Sequence, residues 1–273
     1  MCEHFHVSRG GFHAWLNRAP TTRDLHDHAL RERIVAIHRA SLDIYGSPRV
    51  RAALRLVGLR VGRRRVARLM RSAQLVGRSA RLYRRSRVAQ RKFFTSIPNR
   101  ERLLHLERAD QVWVADITYL RVRGQWRYLA VVMDKFSRRI LGWSLGPQRD
   151  AALTRQALFQ ALRKRQPLPG LVLHTDRGIE YSAHLYRNTL ARLGYVQSMN
   201  RPRHMNDNAH MESFFHSLKT EYLYGKTFDT DSRLRQTLRT YFHFYNNKRL
   251  HSSLSDMPPS TFELSSPNNP CVN

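Results

Sequence analysis

The sequence predicts a mixed α/β core behind a small, basic, all-α module. Three observations carry this. From Ile44 to Arg100 there are 17 Lys or Arg and no Asp or Glu, and the acids return at Glu101, which marks a change of module. Within the basic stretch, apolar residues recur at helical spacing. Beyond it, three apolar runs of strand length follow one another, and then helical and strand-like segments alternate. The 273 residues, 41% of them hydrophobic, suffice for one ordinary domain and a small accessory one, and exclude a wholly disordered chain.

Taken in order, Ser8 is placed to cap a short helix with Phe12, Trp15 and Leu16, and Leu30, Ile34 and Ile37 follow helical spacing on a second. Ser47 and Pro48 read as a helix start, with Val50, Leu54 and Val57 on its apolar face. Gly58 to Gly62 makes a turn. Arg63 to Arg71 forms another helix, with Val66, Leu69 and Met70 inward and Arg63, Arg64, Arg65, Arg68 and Arg71 outside. Helix, Gly-containing turn and Arg-rich helix make a helix-turn-helix pattern. Two readings of those arginines stand: DNA contacts, or a solvated face. Leu75 to Pro98 reads as an extended basic linker.

Strands are expected over Val112 to Leu120, Arg127 to Asp134 and Arg139 to Leu145. A helix over Asp150 to Arg165 follows, then a short buried strand from Gly170 to His174. A helix over Tyr181 to Leu193, a strand over Tyr195 to Ser198 and a long helix over Asp207 to Tyr222 complete the core. This order suits the ribonuclease-H-like fold.

Charge gives the first functional clue. Lys and Arg number 48 against 20 acids, a formal +28, and such a surface attracts a polyanion, nucleic acid being the commonest. The longest apolar runs, such as Tyr128 to Met133, are too short to span a bilayer, and the first residues carry no apolar signal-peptide core. Cys2 and Cys271 are the only cysteines, which excludes a disulfide framework and fits a reducing cytoplasm. Cys2, His4 and His6 lack the second close pair that a structural zinc site needs.

Three acids stand out by position. Asp116 lies inside an apolar strand, Asp176 directly follows a buried one, and Glu212 sits one turn into a helix. A carboxylate at such a strand is costly unless paired or bound to metal. Three brought together repel, and divalent cations with all-oxygen ligands, Mg²⁺ or Mn²⁺, relieve that repulsion. Singly, each acid also has a structural reading: a strand-end acceptor, a turn cap, a solvent-facing helix residue.

The order Asp, Asp, Glu, with 35 residues between Asp176 and Glu212, resembles the DDE motif of retroviral integrases and bacterial transposases. The flanking words are Trp113, Asp116, Ile117, Thr118 and Tyr119; His174 to Gly178 with Tyr181; and Asp207, Asn208, Ala209, Glu212 to Phe215, Leu218, Lys219 and Glu221. They resemble the second-frame protein of the IS-three family of insertion-sequence transposases. So do Tyr45 to Arg49 near the N-terminus, and Tyr241, Tyr245, Asn246, Arg249, His251, Leu254, Pro258, Pro259 and Phe262 near the C-terminus. The likeness runs from about Val7 to Phe262. Departures fall in the loops: Thr175 for a Ser, Ile179 and Glu180 for a Ser-Gln-like pair, and residues 200–206 without the expected Gly.

The resemblance implies a retroviral-integrase-like catalytic core. Water attacks a phosphodiester at a transposon end, and the freed 3′-hydroxyl then joins strands, both by in-line displacement with two Mg²⁺ ions (Mn²⁺ substituting) held by Asp116, Asp176 and Glu212. It implies that Lys219 contacts DNA near the scissile phosphate. Arg177 reaches either phosphate or a neighbouring acid, and Asn208 either orients Glu212 or a metal-bound water or is simply a helix-start residue. Asp134 is structural and His174 a packed strand residue. DNA is the implied partner, with a homo-oligomer on it and a possible fusion to the upstream-frame helix-turn-helix protein, in the bacterial cytoplasm and on the nucleoid. The expected organisation is an N-terminal helical segment (1–40), a helix-turn-helix-like module (41–77), a basic linker (78–109), a catalytic core with a C-terminal helical extension (110–263) and a tail (264–273). A catalytically silent DNA-binding protein and a general nuclease of the same fold are the alternatives. The complete triad argues against the first; the basic module and the 35-residue spacing argue against the second.

Overall fold

The computed structural model describes Cys2, His4, residues 7–17, Ala19, and residues 21–78, 97–202 and 204–266. Residues 79–96 of the expected linker, His6 and the tail beyond residue 266 lie outside the described residues. The chain divides into two compact units, Met1–Gly77 and Arg78–Asn273.

The first unit is helical, with α1 (Arg9–Leu16), α2 (Thr22–Ala40), α3 (Ser47–Leu56) and α4 (Arg63–Ser72). Ser8 caps α1 by accepting from the Gly11 N–H at 3.0 Å, yet α1 buries no residue and Trp15 and Leu16 stay exposed. Thr21 and Asp24 close a reciprocal cap on α2, which buries Leu30, Ile34 and His38. Ser47 is the first residue of α3 rather than its cap. Gly46 holds the cap position, and Pro48 stands in the first turn, where its missing N–H costs nothing. Val50, Ala52 and Leu54 are buried, but Val57 lies past the helix end and is exposed. Gly58, at φ +81°, reverses the chain as only glycine does cheaply, and α4 returns with Val66, Leu69 and Met70 inward.

The second unit is built on a five-stranded sheet of order β3-β2-β1-β4-β5. Its strands are β1 (Val112–Val122), β2 (Gln125–Asp134), β3 (Ile140–Gly146), β4 (Val172–Thr175) and β5 (Val196–Met199). β1, β2 and β3 run antiparallel, whereas β4 pairs parallel with both β1 and β5. Arg123 and Gly124, both at positive φ, form the two-residue turn whose twist matches the β1–β2 hairpin. α5 (Ala151–Lys164) is capped by Asp150, which accepts from the Leu153 N–H at 2.8 Å. Its backbone lies so close to β3 that a Cβ on Gly142 would stand 2.1 Å from the Ala157 carbonyl oxygen, so only glycine fits there.

On that face Trp113, Ala115, Ile117, Ala130, Val132 and Leu141 from the sheet pack with Leu153, Ala157, Leu158 and Ala161 of α5. Tyr181 and Tyr186 join them. They belong to α6 (Ile179–Ser182) and α7 (His184–Arg192). The single helix expected there is broken at Ala183, whose ψ of 142° is extended. On the other face lie α8 (Ala209–Ser217), packed on β1, and α9 (Asp231–Asn247), packed on β3. α10 (Pro259–Ser265) closes the chain against α9.

Two further expectations are corrected. Residues 98–101, within the stretch assigned to the linker from composition, lie against the core: the Met199 N–H donates to the Pro98 carbonyl at 3.2 Å, the Arg100 N–H to Ser198 Oγ at 2.9 Å, and Glu101 is buried. The helix expected over Asp207 to Tyr222 is three segments: a 3₁₀ turn (Met205–Asn208), α8, and a π-helical turn (Leu218–Leu223).

Candidate active site

Strand register brings two of the three acids together. Ala115 on β1 pairs with Thr175 on β4, so Asp116, within β1, and Asp176, just past the end of β4, are the next residues along. Asp116 is also opposite Val131, which is opposite Trp143. Register partners share a face, and Trp143 packs edge-on against Phe242 of α9 at 5.3 Å, so Asp116 faces the α8–α9 side. Its Oδ1 accepts from its neighbour's N–H, Ile117, at 2.7 Å. Burial, and then the charge of Asp176, hold its carboxyl well above the usual carboxylate range. Asp176 Oδ1 accepts from the Gly178 N–H at 3.0 Å. A Cβ on Gly178 would stand 2.4 Å from Glu180 Oε1 and 3.0 Å from Asp176 Oδ1, so this turn requires glycine.

α8 lays its inner face on β1 on either side of Asp116. At its start the Asn208 side-chain amide donates to the Ala115 carbonyl at 3.2 Å, while its buried Oδ1 has no partner. Beyond its end Lys219 places Nζ 4.5 Å from the centre of the Tyr119 ring. Burial pulls the Lys219 pKa down to about 8, opposed by the charge of Asp116. Glu212 stands between these two contacts, one turn after Asn208, and is half-buried. Among the described residues, no three His, Cys or acidic side chains close into a complete metal-holding group. Asp116 and Asp176 are neighbours, and Glu212 is on α8, which packs on β1.

The other candidates are placed as follows. Arg177 donates to the Asn200 carbonyl at 2.6 Å and the Ile97 carbonyl at 3.1 Å, so its guanidinium straps residues 97 and 200 to the core. His174 is buried between Ser198 Oγ at 2.9 Å and Asn200 Oδ1 at 2.8 Å. Burial lowers its pKa to about 4, which keeps it neutral and structural. Asp134 is a buried loop anchor. On α4, Arg63 and Arg64 are exposed, whereas Arg65 and Arg68 both pair with Asp27 of α2 and fasten α4 to it. Two residues beside the acids were missed: Arg149 and Glu180. Arg149 gave no signal as one of 48 basic residues. Glu180 did, as a charged departure in the loop after Asp176.

Residues 107–205 match a family model described as an integrase core domain, residues 193–259 a second model of that description, and residues 25–83 an HTH-like domain. A 31 kDa protein of insertion element IS600 from Shigella sonnei is 35% identical over 267 residues, covering 96% of this chain and 97% of the relative. The transposase InsF of IS3A from Escherichia coli is 35% identical over 270 residues, covering 96% and 92%. The transposase of IS904 from Lactococcus lactis is 33% identical over 250 residues, covering 91% and 98%. The chain belongs to the IS3 family of insertion-sequence transposases.

The transposase is therefore a DDE-type polynucleotidyl transferase of DNA transposition and integration, and DNA is its partner. Its fold is also that of a chain in the simian T-cell lymphotropic virus intasome solved with a PP2A regulatory subunit. That match has a TM-score of 0.52 at 17% identity and covers 81% of this chain and 72% of that one. Among the described residues, no helix is long and apolar enough to cross a membrane.

Proposed function

We propose that Asp116, Asp176 and Glu212 form the catalytic triad and hold two divalent ions, Mg²⁺ or Mn²⁺, during cleavage at transposon ends and strand transfer. The observation that carries this is that Asp116 and Asp176 directly follow Ala115 and Thr175, the last paired residues of the parallel β1–β4 register, with the Asp116 carboxyl raised by burial and by its neighbour. Two such carboxylates oppose each other's charge, and a divalent cation stabilises both charged forms. The donor set is oxygen only, as these ions require, and the orphaned buried Asn208 Oδ1 is an acceptor suited to an outer-shell water. Asp116, Asp176 and Glu212 would hold the ions, which would supply activation of the attacking water or 3′-hydroxyl and charge stabilisation at the leaving oxygen of an in-line displacement.

The remaining roles belong to side chains alone. Lys219 holds the DNA end beside Asp116 by its charge, with Tyr119 as its platform. Asn208 fixes the start of α8 on β1 and so the height of Glu212 above Asp116. Arg63 and Arg64 are the phosphate contacts of the 41–77 module. The enzyme works as a homo-oligomer on DNA in the bacterial cytoplasm. In a cleavage assay on labelled transposon ends, Asp116→Asn, Asp176→Asn and Glu212→Gln each abolish cutting and leave DNA binding nearly intact. Activity within a few-fold of the parent in any one of them, in Mg²⁺ or Mn²⁺, removes that residue from the triad.

A further inference from the structure

A fourth carboxylate lies beside Asp116 and Asp176. The Glu180 side chain is fully buried, at 0% exposure. Its Oε1 accepts from Arg149 Nε at 3.0 Å and Nη2 at 2.7 Å, while its Oε2 is buried without a partner. Arg149 Nη2 stands 4.0 Å from Asp176 Oδ2, beyond hydrogen-bond reach. Arg149 and Glu180 both act on the Asp116 carboxyl, in opposite directions. One guanidinium is thus offered two carboxylates and bonds the one outside the proposed triad.

We propose that Glu180 is a positioning residue whose pairing with Arg149 keeps that guanidinium from bonding Asp176 directly, so that Arg149 does not compete with a divalent cation for the Asp176 carboxylate. This rests on the reading of Asp176 as a metal ligand. The physical ground is local charge balance. Arg149 is a permanent, partly buried cation, and it takes the fully buried Glu180 as its hydrogen-bonded partner. With Glu180 present, its charge is matched outside the site. With a neutral amide at position 180, Asp176 and Asp116 are the acids left to match it, and an arginine bonded to a ligand oxygen must be displaced before a metal binds there.

The test is Mn²⁺ binding by the full-length protein without DNA, read as loss of free-ion signal in electron paramagnetic resonance. Glu180→Gln preserves shape and an acceptor, and should raise the Mn²⁺ dissociation constant roughly tenfold, the scale of one charge-assisted hydrogen bond. The double substitution Arg149→Met with Glu180→Gln removes the competitor and should return affinity to within about threefold of the parent. Arg149→Met alone should bind Mn²⁺ at least as tightly as the parent. Melting temperatures in EDTA establish that each variant is folded, and the single Arg149 substitution decides the matter should Glu180→Gln not fold. Parental affinity in Glu180→Gln, no recovery in the double variant, or weakened binding in Arg149→Met overturns the inference. Asp176→Asn separates it from the reading beneath it: lost binding there with an unchanged Glu180→Gln refutes only the role of Glu180, whereas retained binding in Asp176→Asn refutes the ligand assignment.

Discussion

Asp134 is an acid fully shielded from water at the end of β2. Its oxygens accept from the Asp110 N–H, the Ser137 N–H and Ser137 Oγ at 2.8, 2.8 and 3.0 Å. Burial outweighs these bonds and raises its pKa to about 6. Because the folded value lies above the unfolded 3.8, the folded state binds the proton more tightly. That contribution to stability is complete below pH 3.8 and is lost as pH rises through 6. Ionising Asp134 in the fold then costs about 3 kcal/mol. Asp134→Asn cannot ionise, and its amide meets a donor at Asp110, so it is less stable than the parent at low pH. The difference should narrow by about that amount between pH 4 and pH 7 in urea unfolding. A difference constant across this range would mean that Asp134 does not titrate there.

At the scale of elements, the covering helix is held by a pair remote from the acids. Glu221, in the π-helical turn after α8, takes Arg249 at 2.6 and 2.8 Å, with Tyr241 OH donating to it at 3.3 Å. Both charged residues are buried. Arg249→Met removes the guanidinium that pairs with the buried Glu221 carboxylate, and should cost roughly 3–5 kcal/mol of stability. Glu221→Gln with Arg249→Met should recover most of it, and thermal unfolding of the single and double variants decides. If the double variant is no more stable than Arg249→Met, the pair is not the clamp. This pair also explains why the three-part helix was illegible. Periodicity finds Phe214, Phe215 and Leu218, but nothing in it marks Glu221 as tied to a residue 28 positions away. The strands were legible because each is set by its own apolar run: β1, β2 and β3 all fall within a few residues of their expected bounds. The break at Ala183 was not, since Ala is the best helix former and nothing in its identity marks the extended ψ it adopts. At the site, position and spacing single out Asp116, Asp176 and Glu212 as candidates, while the Arg149–Glu180 pair depends on a fold contact 31 residues apart.

For the molecule as a whole, the +28 charge favours phosphate contact, and salt dependence counts the contacts. The helical unit divides its arginines by role. Asp27, held below the usual carboxylate range by Arg68 and Arg65, uses those two to fasten α4 to α2, whereas Arg63 and Arg64 project from the first turn of α4. An α4 that lies on duplex DNA therefore presents Arg63 and Arg64 to phosphates, and these two substitutions should behave unlike the other two. Arg63→Ala with Arg64→Ala should weaken duplex binding and make the log–log salt slope shallower by roughly 1.8, about 0.9 for each phosphate released, with no change in melting temperature. Arg65→Ala with Arg68→Ala leaves Asp27 without its partners. It should lower the melting temperature, and its slope should change less than that of the first pair. Fluorescence anisotropy of a labelled duplex between about 50 and 200 mM salt gives the slopes. A slope unchanged in Arg63→Ala with Arg64→Ala would mean that α4 does not touch the backbone there, and the Arg-rich face would be a solvated one.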